Sequence, residues 1–384
     1  MSAAAQPTYS TVETFEDLEA LAGEWDELVV AMPRPSPFLL HGWLVEWWRA
    51  YGVTGKLAVA VARRDGRLVG ALPMHIRRVG AARVAQFLGA HESALADALV
   101  APGEGPEVVA GLLAELGRRP YDYCDVFGLP RASLFARAAG ARLTEIERVE
   151  APVLLMPNGW EEAYLAKTSS KRRNLHRRRL RQLAETGRVE FVVGRTREEL
   201  EPLLEDAFRL HHLRWAGRPD GSTFGTVDGQ AFHRAALRRL ADSGVLRIVL
   251  MRVGDRAAAF HYFFELADVM YVHRLAFDPA LARYSPGLVA TIETLRVAAE
   301  DGMRRVEYLG GGERYKLELS DHLEPLYQGL GLARNPLGAT GAGLRVAAIQ
   351  ARKTLKRSER LQRLYLQGRL PVGRRTQKDD GDSD

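Results

Sequence analysis

The chain has one cysteine, Cys124, in 384 residues, which excludes an intrachain disulfide and any zinc site or redox pair that needs two thiolates. Its setting in the apolar run "YDYCDVFGL" reads as a buried thiol rather than a nucleophile, and this usage fits a reducing cytoplasm. No stretch approaches the roughly 18 continuous apolar residues of a membrane span, and the N-terminus lacks the basic and apolar regions of a secretory signal. The expectation is a cytoplasmic protein, neither exported by that route nor integral to a membrane. A His-Glu-x-x-His pair is missing, and the adjacent His211 and His212 point to different sides of a helix, so no metal is expected. The glycine-rich stretches "YLGGGER" and "GLGLARN" lack the Lys-Ser/Thr ending of a P-loop, which argues against a nucleotide triphosphatase.

What is present is an ordinary globular composition, 46% apolar and 27% charged, with a net charge of +6. The excess favours anionic partners only where it is clustered. Helical periodicity through "FEDLEALAGEWDELV" and "HGWLVEWWRAYG" gives way to alternation in "KLAVAVARRDGRLVGALPMHI", predicting two helices and then a hairpin turning at Asp65-Gly66. A strand, a helix, the buried strand around Cys124, a short helix and a last strand follow. Residues beyond 150 repeat this order, and the two hairpins align without a gap at a constant offset: Gly55, Leu57, Arg63 and Arg67 fall on Gly244, Leu246, Arg252 and Arg256. The pattern predicts two copies of one α/β (α+β) domain with a mixed sheet, 1–150 and 151–335. Residues 336–384 then form an appendage: a linker "NPLGATGAG", a basic helix that could pack on the body or rest on an anionic membrane surface, and a disordered acidic end.

The phosphate-binding candidate is "ARYSPGLVATIETL", where a strand leads through Arg283 into a helix beginning near Pro286, with Ser285 as its N-cap and Gly287 allowing close approach. The same reading permits an ordinary capped helix. Farther on, three consecutive glycines, Gly310, Gly311 and Gly312, precede Lys316 in "YLGGGERYKLEL", which points to a tight turn or a ligand.

These segments resemble the GNAT acyltransferase fold, whose loop pattern has Arg or Gln followed by two spaced glycines. Arg283 matches; Ser285 and Leu288 stand at the two glycine positions. Together with "FLLHGWLVEWW", "SSKRRNLHRRRLRQL" and "RLHHLRW", they are similar to the CelD-type acetyltransferase-like proteins and, more distantly, to the Fem aminoacyl transferases of peptidoglycan synthesis. The resemblance spans about residues 10–330 and implies tandem GNAT-like domains. It implies acyl-CoA, with acetyl-CoA favoured in that family, as donor, held by Arg283, Ser285, Gly287, Leu288 and Gly311. It also implies that Lys316 stabilises an anionic intermediate or donor phosphate.

Transfer of an acyl group to an amine needs oxyanion donors and a base. His273 or Glu307 could be the base, and Tyr284 or Tyr315 could protonate a leaving thiolate. His261, on the neighbouring hairpin strand, and Arg172 and Arg173 are candidates for substrate binding. In "SSKRRNLHRRRLRQL" a stripe of His176, Leu180, Leu183 and Ala184 is expected to be buried behind Ser170 as N-cap, leaving the arginines for an anion. That anion is coenzyme A, the backbone of an aminoacyl-tRNA, or an acidic acceptor such as a nucleotide-sugar. Three functions stay open: an N-acyltransferase acting on an aminosugar or envelope-polysaccharide precursor, a tRNA-dependent transferase, and a non-catalytic binding protein of polysaccharide assembly.

Overall fold

The computed structural model describes residues 5–90, 92–215, 222–311 and 313–357. The first half starts with strand β1 (Thr8–Val12) and helices α1 (Phe15–Glu19), α2 (Ala22–Val30) and α3 (His41–Tyr51). Next come β2 (Gly55–Leu57), β3 (Val59–Arg64), β4 (Arg67–Leu72), β5 (Met74–Val79), β6 (Ala82–Phe87) and β7 (Leu99–Val100). Helix α4 (Pro106–Leu116), β8 (Tyr123–Pro130), α5 (Leu134–Ala139) and β9 (Leu143–Val149) finish it. Asp65 and Gly66 both take left-handed φ, 50° and 79°, the backbone a two-residue hairpin loop needs.

The second half opens with β10 (Pro152–Leu155), α6 (Trp160–Lys167), α7 (Ser170–Ala184) and β11 (Val189–Gly194). Then follow α8 (Arg197–Trp215), α9 (Val227–Leu240), β12 (Leu246–Val253), β13 (Arg256–Leu266), β14 (Val269–Phe277) and α10 (Pro286–Glu300). Strand β15 (Arg305–Glu307), α11 (Arg314–Glu318), β16 (His322–Leu323), β17 (Leu326–Gly331) and α12 (Pro336–Arg357) end the described chain. β12 and β13 are continuous where the first half interrupts its hairpin at Ala58 and Pro73. Proline has no N–H for the ladder, and the first hairpin accordingly divides between two sheets, β1-β3-β4-β7 and β2-β5-β6-β8-β17-β9. The second half forms one sheet, β11-β12-β13-β14-β15-β10-β16.

The second half lends a strand to the first. β17 lies between β8 and β9, antiparallel to both. The six-stranded sheet of 1–150 is therefore incomplete without β17, whereas all seven strands of the other sheet, with β10 between β15 and β16, lie within 151–335. The halves also share a core, in which Phe38 and Trp43 meet Phe264, with Phe232 of α9 against Trp43.

Two features shape the site. β14 and β15 run parallel only from Val269↔Arg305 to Tyr271↔Glu307 and then part. Between the pairs Tyr262↔Arg274 and Phe263↔Val272 the register shifts, leaving His273 as the extra residue of a β-bulge, a device that bends a strand away from its neighbour.

The predicted linker is a correction: residues 336–343 are the first turns of α12. Asn335 accepts the Gly338 N–H at 2.7 Å, Pro336 suits the first turn, and the small residues permit close docking. A Cβ on Gly338 would stand 1.9 Å from the Asp122 carbonyl oxygen. Ile349 then packs with Ala82, Val84 and Tyr123, and Arg345 pairs with Asp125 at 3.0 Å, so the described part of the tail lies on the body. The expected acidic disordered end falls outside the described residues.

Candidate active site

Beyond the last β14–β15 pair, the start of α10, the turn before α11 and α7 lie near one another. Ser285 stands at the N-cap position with left-handed φ 56° and makes no side-chain cap bond, correcting the expected cap and leaving its hydroxyl unspent on the first turn. Gly287 faces Phe277, 3.0 Å from where a Cβ would lie, and its carbonyl accepts from Thr291 Oγ1 at 2.8 Å. Thr291 also meets His261 Nε2 at 3.1 Å. His261 is buried, and burial followed by the charge of Lys316 pushes its pKa down to about 3, so the imidazole is neutral. The sequence candidates Gly287, His261 and Lys316 thus share one neighbourhood.

Lys316 is 7% exposed; its Nζ donates to the Gly310 carbonyl at 2.6 Å and pairs with Glu313 at 3.0 Å. The turn beneath it is tight, with Leu309 at φ 60° and Gly311 at φ 94°; Gly312 lies outside the described residues. Burial raises the pKa values of Tyr308 and Tyr315, and neither buried hydroxyl has a hydrogen-bond partner. Two protonated phenols therefore stand beside the ammonium turn. Arg283 is exposed before α10, its guanidinium 4.5 Å from the Tyr284 ring centroid and donating to the Tyr284 hydroxyl. Leu288, half-buried, follows on the first turn.

Helix α7 forms the third wall. Ser169, one residue earlier than expected, accepts the Arg172 N–H at 3.3 Å as N-cap. Within α7 only His176 and Leu183 are buried; Leu180 is 40% exposed and Ala184 is exposed, which narrows the predicted stripe to two residues two turns apart. Arg172 donates to Glu318 of α11 at 2.7 Å, Arg173 donates to the Thr168 carbonyl, and Arg179 reaches the Arg283 carbonyl at 2.8 Å. Three arginines are thus partly occupied in tying the wall together, while Lys171, Arg177, Arg178 and Arg181 are exposed.

Glu307 and His273 lie elsewhere. Glu307 is fully buried, held by Arg34 at 2.7 and 3.1 Å and by Arg305 at 2.7 and 3.0 Å. Both of its oxygens are taken, which suits a clamp between the halves better than a proton acceptor. The bulge turns His273 toward the first half, against Phe38 and Trp43, while His261 pairs with Leu275 and faces α10; the two histidines do not meet.

On the His273 side lies a group that sequence reasoning missed. Glu92 is bonded by Arg274 at 2.9 Å and by Tyr51 at 3.4 Å, with His233 Nε2 at 3.6 Å. Burial alone would raise the carboxyl, but the contacts of His233 and the charge of Arg274 hold it at about 2. Burial lowers the pKa values of His233 and His273. A cavity of about 190 Å³ lined by Trp47, Tyr51, His75, Glu92 and Thr223 opens beside it. His233 occurs in an apolar stripe with Phe232, Ala236 and Leu237, so its sequence signal is that of an ordinary core histidine.

Residues 170–317 match the model of the acetyltransferase (GNAT) domain. No curated protein matches the chain. Among solved structures, FemX is similar at 10% identity and TM-score 0.56, covering 83% of this chain and 96% of FemX. The C-terminal domain of a putative lysylphosphatidylglycerol synthetase from Agrobacterium fabrum is similar at 12% identity and TM-score 0.53, covering 88% and 96%. L-PGS from Bacillus licheniformis gives 13%, 0.52, 86% and 96%. At such identities the likeness is one of fold. Residues 170–317 thus match a GNAT-type acetyltransferase domain, set within a mixed α/β architecture. No helix among the described residues is long and apolar enough to cross a membrane.

Proposed function

We propose that the protein is an N-acyltransferase that moves an acyl group from acyl-CoA, with acetyl-CoA the favoured donor, to an amine. The observation that carries this reading is the chain of hydrogen bonds from Gly287 through Thr291 to His261, whose ring feels the charge of Lys316. Backbone amides at the tip of α10 and exposed Arg283 suit a pyrophosphate, with Ser285, Leu288 and Gly311 lining the approach. The amine attacks the thioester carbonyl, the C–N bond forms, the C–S bond breaks, and the amine gives up a proton. Lys316 supplies positive charge to the oxyanion, and the Tyr315 phenol donates to the departing thiolate. The amine proton passes to solvent, since His273 and Glu307 lie away from the donor side. An aminosugar or an envelope-polysaccharide precursor is the acceptor class that the sequence resemblance brings, and a cytoplasmic setting follows from the donor.

A second reading rests on α7: Lys171, Arg177, Arg178 and Arg181 form an exposed basic face suited to the backbone of an aminoacyl-tRNA. Isothermal titration with acetyl-CoA and retention of charged tRNA on the same preparation separate the two. Acyl-CoA binding with a shallow salt slope supports the first reading; tRNA retention that falls steeply with salt supports the second; binding of neither supports a non-catalytic role. If the first holds, Lys316→Ala lowers kcat by about 10²–10³.

A further inference from the structure

Glu92, His233 and His273 come from three distant parts of the chain, and each offers one ligand atom within 4.8 Å of the other two. Glu92 and His233 are buried, and the His233 ring is fully so, with neither nitrogen making a hydrogen bond. His273 Nε2 is buried without a partner as well. Orphaned buried polar atoms are rare in native structures and call for an ion, a water or a functional role. Here they are concentrated at one point, where the Tyr262 hydroxyl and His211 Nδ1 are orphaned too.

The distances favour an ion. Glu92 Oε2 and His233 Nε2 stand 3.6 Å apart, too far for a good hydrogen bond. Two tetrahedral ligands at the usual zinc distances lie roughly 3.3 Å apart, so the observed separation needs only a small contraction. We propose that Glu92, His233 and His273 bind a divalent transition-metal ion, zinc by preference, in an open three-ligand site. This site does not rest on the acyl-CoA reading.

Its surroundings suit that role. Arg274 bonds the same Glu92 oxygen at 2.9 Å, and a ligating carboxylate commonly keeps such an outer hydrogen bond.

The test uses the full-length protein loaded with Co²⁺ and, separately, Zn²⁺, each followed by desalting. The expected result is about one equivalent of retained metal by elemental analysis, tetrahedral cobalt absorption bands, and at least tenfold weaker retention in Glu92→Gln and in His233→Gln. Wild-type protein that retains no metal and shows only the aqua-cobalt spectrum would overturn the proposal, independently of how any variant folds. Equal retention by folded His233→Gln/His273→Gln protein would do so too, by placing the ion elsewhere.

Discussion

At the scale of single residues, Glu307 and His261 separate what sequence shows from what packing decides. Glu307 ends a buried strand and precedes a glycine turn, a local setting that also suits an active-site carboxylate, but Arg34 arrives from 273 positions away and nothing local announces it. Removing one partner of a buried ion pair strands the others. Glu307→Gln is therefore expected to cost about 3 kcal/mol in urea unfolding while leaving the pH profile of kcat unshifted; a shifted profile would return Glu307 to the role of base. His261 is held at about 3, against about 6.5 in an unfolded chain. As pH falls below 6.5 the unfolded state binds the proton first, so stability drops by about 1.4 kcal/mol per pH unit for this group until the folded pKa is reached. His211, held at about 4, adds to the slope above that pH. Stability measured by urea unfolding from pH 7 to 4 should fall less steeply in His261→Asn; an identical slope would mean that His261 is not kept neutral.

Among elements, helices and hairpins with strong periodicity were legible, including the Asp65-Gly66 turn and the helix at Pro286. The short β10 was not: it has four residues, and no period can be read from so few positions. The sequence "EPLYQGLGL" did read as a strand, yet its insertion between β8 and β9 depends on partners about 180 to 200 residues away. α12 was misread at its start because glycine lowers helix propensity, whereas here glycine is what lets the helix touch Asp122. Gly338→Val should lower the urea midpoint by the equivalent of at least about 2 kcal/mol, an overpacking cost, and should raise proteolysis within residues 336–357. Unchanged stability would show that the close contact is not maintained.

For the whole molecule, the inserted β17 and the shared core make the halves one cooperative unit. A single buried cluster joins Leu18, Trp43, Phe232, Phe264 and Leu332, and the six-stranded sheet lacks its interior strand β17 without the second half. Calorimetry should show one unfolding transition with matching calorimetric and van't Hoff enthalpies; two separated transitions would contradict that coupling. The duplication was visible from the aligned hairpins, but the site it creates was only partly so. The donor-side residues lie close together in the second half, while Glu92 and Arg34 enter from the first half through tertiary packing alone.

The account turns on an anionic donor seated at the tip of α10 beside Lys316. Hydrogen–deuterium exchange of the full chain with and without acetyl-CoA tests this at the residues concerned. Slowed exchange across 284–291 and 308–316 is the predicted result; binding that leaves both segments unprotected, or no binding at all, would contradict it.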